Sequence, residues 1–431
     1  MIRTLCIVPK SPWPPDNGGR QRLMALLRAI ESLGDLDLVV TAPLADHEVR
    51  ALREQFPRAR VLGLTTLRRH RFGRLRWLTR RELPFALGLR NHAAARDELR
   101  RFAARSPEPY DAVWCAGAAT MYSFGKVVRG VPVAVDFADV TWVLHDQSRR
   151  AAAGRSGTSM AGTRLATRAK RWVRFSIDGY RWMLFERVQA TRAHLVTVCS
   201  ASDRELLGVP GTVVVPNGYT RPAAPAGGHR ADGADPVVLF AGQMTYEPNV
   251  DAAGWFAREV LPAIRAELPG VTLAVVGRAA PEVEALGELD GVEVRGYVDD
   301  ITTVLGEADA IVVPLRHGSG TRIKILEAFA HHVPVVSTSI GAEGLDVRHG
   351  EELLVADGAA ALAVAVVRVL TEPTLRDGLV ARAAARYDGD YDWAGIGARF
   401  AARFADVVAS ATTYDVLLGD RASRRDTGAP R

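Results

Sequence analysis

Cysteine is scarce in this chain: Cys6, Cys115 and Cys199 are the only three in 431 residues. They are far apart and odd in number, which argues against a disulfide framework. Each lies inside or beside an apolar stretch, as buried free thiols do in a reducing compartment. Long apolar runs are missing as well. No segment approaches the roughly 18 residues that span a bilayer. The apolar core of "MIRTLCIVPKSPWPP" at the amino terminus is too short for a signal peptide and reads as a first strand. The expectation is a cytoplasmic protein. No short-period repeat is present, and the rest of the composition, 48% hydrophobic and 24% charged, is that of a soluble globular chain long enough for two or three domains.

Acid is absent from one conspicuous stretch. "LRRHRFGRLRWLTRR", Leu67 to Arg81, holds seven arginines and no carboxylate, interleaved with Phe72, Leu75, Trp77 and Leu78. A second basic stretch, "RLATRAKRWVRFSIDGYRW", runs from Arg164 to Trp182. Arg stems lying over apolar neighbours on a solvated helix face account for such segments. So does an interfacial helix drawn to anionic lipid, which makes an anionic membrane surface a candidate partner. No recognised nucleic-acid module accompanies the charge, and nucleic acid is not expected as a ligand.

What is present is a regular alternation. Short apolar runs ("TLCIVP", "LDLVVTAP", "DAVWCAG", "VPVAVDFAD", "HLVTVCS", "TVVVPNG", then "PVVLFAG", "VTLAVVG", "VEVRGYV", "DAIVVPL", "VPVVST") are separated by helix-length amphipathic segments. Near-continuous Val, Leu and Ile without polar alternation suits strands buried on both faces, hence parallel sheets covered by helices. The fold class expected is α/β, with two doubly wound Rossmann-like domains facing across a cleft. The expected boundaries are residues 1–219 for the first domain, a linker over 220–236 and a second domain over 237–391. A C-terminal helix over 392–414 would pack back on the first domain, ahead of a frayed tail over 415–431. The linker assignment rests on the composition of "TRPAAPAGGHRADGADP".

In such sheets ligands bind beyond the carboxyl ends of the strands. One post-strand loop stands out: "RHGSGTRIKILEAFAHHVPVV", Arg316 to Val336. Gly318 and Gly320 let backbone N–H groups approach an anion. A helix starting near Thr321 would add unsatisfied N–H groups and a positive dipole end. Arg322 and Lys324 fall in its first turn, where the dipole disfavours cations, so an anion is expected there to compensate. Glu327, further along, can accept two hydroxyl hydrogen bonds. A diphosphate on the loop and a ribose diol on Glu327 would satisfy the whole set.

These residues resemble the donor-binding signature of the family-four retaining, nucleotide-sugar-dependent glycosyltransferases, which have the GT-B fold. "VVVPNGY" is similar to the end of that family's first domain, and "FAGQMTYEPNVDAAGWF" to the opening of its second. "VEVRGYVDDITTVLGEADAIVVP" resembles its base-binding region, and "PKSPWPPDNGGRQR" its N-terminal glycine loop. The resemblance implies a nucleotide-diphosphate sugar donor, with UDP-sugars favoured, and a hydroxyl acceptor on a glycan, a lipid-linked glycan precursor or a small metabolite. It implies donor contacts at Gly18, Gly19, Gly242, Tyr297, Val298, Gly318, Ser319, Gly320, Thr321 and Glu327. No cofactor and no metal are implied; the adjacent His331 and His332 point in different directions on a helix end. Arg322 and Lys324 would stabilise the leaving diphosphate, and one of Asp136 and Asp139 would orient the acceptor hydroxyl or touch the donor sugar. An alternative role for each aspartate is a helix cap.

The chain departs from the family pattern in three places. Ser319 stands where the first glutamate of the Glu-x7-Glu motif belongs, Glu327 being the second. Gln243 to Asn249 lacks the expected phosphate-binding cations, which Arg322 and Lys324 could replace from another loop. His332 occupies the usual glycine of the helix end, a position a histidine can hold at positive φ. Glu186 and Asn217 also match the pattern, and are expected on a helix surface and in a turn. A nucleotide-sugar epimerase of the same architecture and an inactive binding homologue remain as alternatives.

Overall fold

A computed structural model describes residues 1–65, 68–69, 71–80, 83–142, 165–227, 234–318 and 320–423. The chain forms two compact units, Met1–Val215 with Gly397–Arg431, and Pro216–Ile396.

The first unit is built on β1 (Thr4–Val8), β2 (Leu36–Val40), β3 (Val61–Gly63), β6 (Ala112–Ala116), β7 (Val133–Phe137), β8 (Leu195–Val198) and β9 (Val213–Val214). Between β3 and β6, β4 (Arg68–Arg69) and β5 (Arg90–Asn91) make a separate antiparallel pair. The seven-stranded sheet runs β3-β2-β1-β6-β7-β8-β9, all parallel. Every residue of β1, β2, β6, β7 and β8 is buried. That is the reason these strands read as unbroken apolar runs, since helices cover both faces.

The second unit has β10 (Val237–Ala241), β11 (Thr272–Val276), β12 (Val292–Gly296), β13 (Ala310–Val313), β14 (Val335–Ser337) and β15 (Leu354–Val355). Its parallel sheet runs β12-β11-β10-β13-β14-β15. In each sheet the strand order reverses beside the unit's first strand, β1 or β10. That leaves a crevice beyond the carboxyl ends, where a ligand can sit.

Some boundaries differ from those expected. Tyr219 belongs to the second unit, because its backbone pairs with Tyr391 and Trp393 and its carbonyl accepts from the Tyr387 hydroxyl at 3.1 Å. The linker is docked along its described part: Gly227 N–H donates to the His331 carbonyl at 2.8 Å, and Ala226 N–H to His331 Nδ1 at 3.2 Å. The last helix, Trp393–Ser423, continues past Asp415, and residues 424–431 lie outside the described ones. From Gly397 onward this helix groups with the first unit, and a Cβ placed on Gly397 would lie 3.5 Å from that of Ala29. No described helix is long and apolar enough to cross a membrane.

Candidate donor site and its surroundings

In the second unit, β10 ends at Ala241 and the chain turns through Gly242–Tyr246 into the helix Glu247–Trp255, with Pro248 in its first turn. Asn249, buried in that turn, donates through Nδ2 to the Gln243 carbonyl at 2.9 Å. The neighbouring strand β13 leads through Pro314–Gly320 to the helix Ile323–Ala330. This helix starts two residues later than the sequence suggested. Arg322 occupies the N-cap position at φ −85°, ψ 87°, outside the helical region, so only Lys324 lies in the first turn. Gly318 adopts φ +120°, and a Cβ there would stand 3.1 Å from Arg322 Nη2. A side chain at 318 would therefore be both strained and crowded. Gly320 and Thr321 continue the same loop; Ser319 lies outside the described residues.

Lys324 reaches from this helix back to the end of β10. Its Nζ donates to Asn249 Oδ1 at 3.2 Å and sits 4.4 Å from the centre of the Phe240 ring. It would also lie 2.9 Å from a Cβ on Gly242. The β10 loop thus receives from β13's helix the cation that Gln243–Asn249 lacks. Burial, then the charge of Arg322, push the Lys324 ammonium down to about 7, against the attraction of Glu327. Glu327 is pushed up by burial, opposed by a hydrogen bond from the Tyr219 hydroxyl and by Lys324. Arg322 is itself buried. Gly242, Gly318, Arg322, Lys324 and Glu327 are therefore brought into one neighbourhood that concentrates positive charge at a helix start. Tyr297 and Val298 follow β12, at the sheet edge two strands from β10. The Tyr297 ring is 68% exposed, open to stacking, whereas Val298 packs on the core.

The Ile323–Ala330 helix ends as the sequence suggested, with His332 at φ 59°. His332 N–H donates to Phe329 and Val333 N–H to Ala328, the paired bonds of a Schellman cap. Among the described residues no cluster of His, Cys, Asp and Glu is placed to hold a metal ion.

In the first unit, the helix Gly18–Glu31 follows β1, capped by Asn17 Oδ1 accepting from Arg20 N–H at 3.1 Å. Lys10 Nζ lies 3.6 Å from a Cβ placed on Gly19. Asp136 does not face solvent. Arg22 grips it with two bonds, Nε to Oδ2 at 2.9 Å and Nη2 to Oδ1 at 2.6 Å, and Thr197 Oγ1 adds a third at 2.6 Å. Arg22 also donates to the Val215 carbonyl at 2.7 Å. Both oxygens of a fully buried carboxylate are thus occupied, which makes Asp136 a tie between β7, β8, β9 and the first helix rather than a group aimed at substrate. Asp139 is the aspartate that retains solvent access. Its surroundings are nonetheless crowded: removal from bulk water, then the charge of Asp203, push its carboxyl up to about 6, against Arg22 and Lys10.

Two residues stand elsewhere than the sequence suggests or give no clear signal in it. Glu186 is not on a helix surface but 1% exposed, with Oε1 accepting from Thr141 N–H at 3.0 Å. Burial pushes it up to about 7. Its spacing was the signal: Trp182, Phe185, Glu186 and Gln189 form one buried stripe of the helix Leu165–Ala190. Asn249 gives no signal of its own in the sequence, because a lone asparagine after Pro248 reads as turn chemistry.

Comparison with known proteins fits this geometry. Residues 235–372 match the family model described as Glycosyl transferases group 1. A protein of Klebsiella pneumoniae named "Uncharacterized 44.6 kDa protein in cps region" is 30% identical over 129 residues, 28% of this chain and 33% of that protein. A phosphatidyl-myo-inositol mannosyltransferase of Mycolicibacterium smegmatis is 32% identical over 170 residues, 38% of this chain and 43% of that protein. The chain thus spans between a third and a half of the length of these curated relatives. Across 93% of this chain and 99% of the other, the fold matches Anabaena HepE, solved with UDP and glucose, at a TM-score of 0.60 and 14% identity. The chain therefore carries a Glycosyl transferases group 1 domain at residues 235–372, within a pair of parallel-sheet α/β units of the GT-B fold.

Proposed function

We propose that the protein is a retaining glycosyltransferase that moves a sugar from a nucleotide-diphosphate donor, UDP-sugars favoured, to an acceptor hydroxyl without a metal. The acceptor is a glycan, a lipid-linked glycan precursor or a small metabolite, and the enzyme works in the cytoplasm. The observation that carries this reading is Lys324. A half-buried ammonium lodged against Asn249, Gly242 and Phe240, next to buried Arg322, is costly unless an anion joins it. The relatives support the choice of anion: one is a mannosyltransferase, and HepE was solved with UDP and glucose.

In this reading the diphosphate lies over the Gly318–Thr321 loop, and Glu327 accepts from the ribose hydroxyls. As the bond from the anomeric carbon to the leaving phosphate oxygen lengthens, negative charge grows on the diphosphate, where Lys324 and Arg322 meet it. The acceptor hydroxyl attacks from the same face of the sugar, and a leaving phosphate oxygen takes its proton. No protein nucleophile is needed. Asp139 touches the acceptor or the sugar, and Tyr297 and Val298 receive the base.

The test is a thermal-shift panel of UDP-, GDP-, ADP- and dTDP-sugars, followed by NMR assignment of the anomeric configuration in the product. A donor at 100 times its dissociation constant stabilises by about 2.7 kcal/mol. Transfer with retained configuration, undiminished by EDTA, is expected. An epimerised nucleotide sugar, or binding without release of nucleoside diphosphate, refutes the assignment.

A further inference from the structure

At the amino ends of β7 and β8 the first unit holds a cavity of about 630 Å³. Its walls come from the helix Ala93–Ala103, the end of the helix Ala118–Phe124, the turn over 125–131 and the residues just before β8. Arg96, Arg100, Lys126, Arg129, Arg192 and His194 line it, and no carboxylate does. The turn that carries Asp139 follows the opposite end of β7, and no residue assigned to sugar transfer lines the cavity.

Folding accounts for part of this charge. Arg100 is answered by Asp97 at 2.8 Å. Arg96 donates to the Ser123 and Tyr122 carbonyls and so closes the end of the helix Ala118–Phe124. His194 Nδ1 accepts from Val133 N–H at 3.1 Å, which ties the starts of β7 and β8 and leaves Nε2 as the ring's donor. Lys126, Arg129 and Arg192 have no such employment. All three are exposed, and among the described residues none of them makes an ion pair.

Unpaired cations gathered round one concavity repel one another. A cavity of this volume is roughly 10 Å across, close to the roughly 8 Å over which physiological salt screens charge. Screening weakens the repulsion without abolishing it, and an anion seated among the cations reverses its sign. The lining also has an apolar side. Val127, Val128 and Val131 are half-buried and rest on the core of the unit at the cavity wall. Charge and apolar contact are thus offered together, in a volume suited to a small molecule. A phosphate ester brings close to two charges and three acceptor oxygens, which answers three unpaired cations better than a carboxylate does.

We propose that this cavity binds a soluble organic phosphate, with its phosphate on Lys126, Arg129 and Arg192 and its organic part on Val127, Val128 and Val131. The inference stands on the first unit alone and does not depend on the donor site.

The experiment titrates phenyl phosphate and inorganic phosphate calorimetrically into the full chain at about 0.15 M salt, where diffuse charge is largely screened. In the Lys324→Met variant, which alters the donor loop, one phenyl phosphate per chain should still bind, more tightly than inorganic phosphate. Adding Lys126→Ser/Arg129→Ser/Arg192→Ser should weaken it about tenfold or more, with an unchanged melting temperature because all three side chains are exposed. Adding Arg50→Ser/Arg53→Ser/Arg105→Ser instead removes the same charge from exposed positions elsewhere in the unit and should leave binding as it was. Equal weakening by the two triple replacements reduces the effect to net charge and overturns the proposal, as does undiminished binding in the first. Binding abolished by Lys324→Met alone assigns the phosphate to the donor loop and overturns it as well. So does failure of either soluble phosphate to bind, even where phosphatidylglycerol vesicles capture the chain, since the cavity then serves a lipid headgroup.

Discussion

Replacing Lys324 by Met should stabilise the empty protein while disabling it. The ammonium's fall from 10.5 to about 7 corresponds to roughly 5 kcal/mol of disfavoured charge. Relaxation and water penetration reduce such figures, and Glu327 loses its attraction to Lys324 in the variant, so about 2–3 kcal/mol is expected. The sign fixes the pH window. Below pH 7 Lys324 is charged both folded and unfolded, and the full penalty applies. Between about 7 and 10.5 only the unfolded chain holds the proton, and the penalty shrinks by roughly 1.4 kcal/mol per pH unit. The advantage of Lys324→Met should therefore be largest at and below neutrality and vanish near the upper limit. Urea unfolding of both proteins at several pH values measures this directly. With a saturating UDP-sugar, turnover should drop on the order of a hundredfold or more, because charge on the leaving diphosphate is greatest in the transition state. A variant less stable than wild type at neutral pH, or a stability difference flat with pH, refutes the idea that the site stores an uncompensated cation.

Three further outcomes follow from the geometry. Glu327→Ala should weaken UDP binding by roughly 1.5–3 kcal/mol, the worth of hydrogen bonds to a charged group; calorimetry showing unchanged affinity would remove Glu327 from the ribose. Gly242→Ala places a methyl 2.9 Å from Lys324 Nζ and 3.2 Å from Asn249 Nδ2. It should displace the ammonium at a stability cost of about 1 kcal/mol, and nucleotide titration should show weaker binding. Asp136→Ala leaves Arg22 buried without its carboxylate and should cost about 3–5 kcal/mol in chemical denaturation, irrespective of any donor. A stable Asp136→Ala protein that binds UDP but transfers no sugar would restore this residue to the chemistry.

The sheets were legible in the sequence because burial on both faces removes polar alternation from β1, β2, β6, β7 and β8. The two-residue strands β9 and β15 and the half-buried β3 leave almost no such signal. The glycine loop, Lys324 and Glu327 were visible as an unusual charge pattern at a helix start. Which atoms Lys324 touches was not, because Asn249 and Gly242 lie some 80 residues upstream and meet it only through the pairing of β10 with β13. Asp136 misled for the opposite reason. A carboxylate near a strand end looks like a site until its partner Arg22, 114 residues away, closes on it.

The return of the last helix to the first unit sets the order in which the molecule can be completed. Residues 1–215 leave the ribosome before the second unit, yet their unit also takes in residues from Gly397 onward, including buried Phe400 and Phe404. Pro216–Ile396, by contrast, is contiguous and can close as soon as it is synthesised. The half made first is thus finished last. A released chain truncated after residue 396 should hold a folded second unit beside a first one still sensitive to protease, and should bind nucleotide although the other half is unfinished.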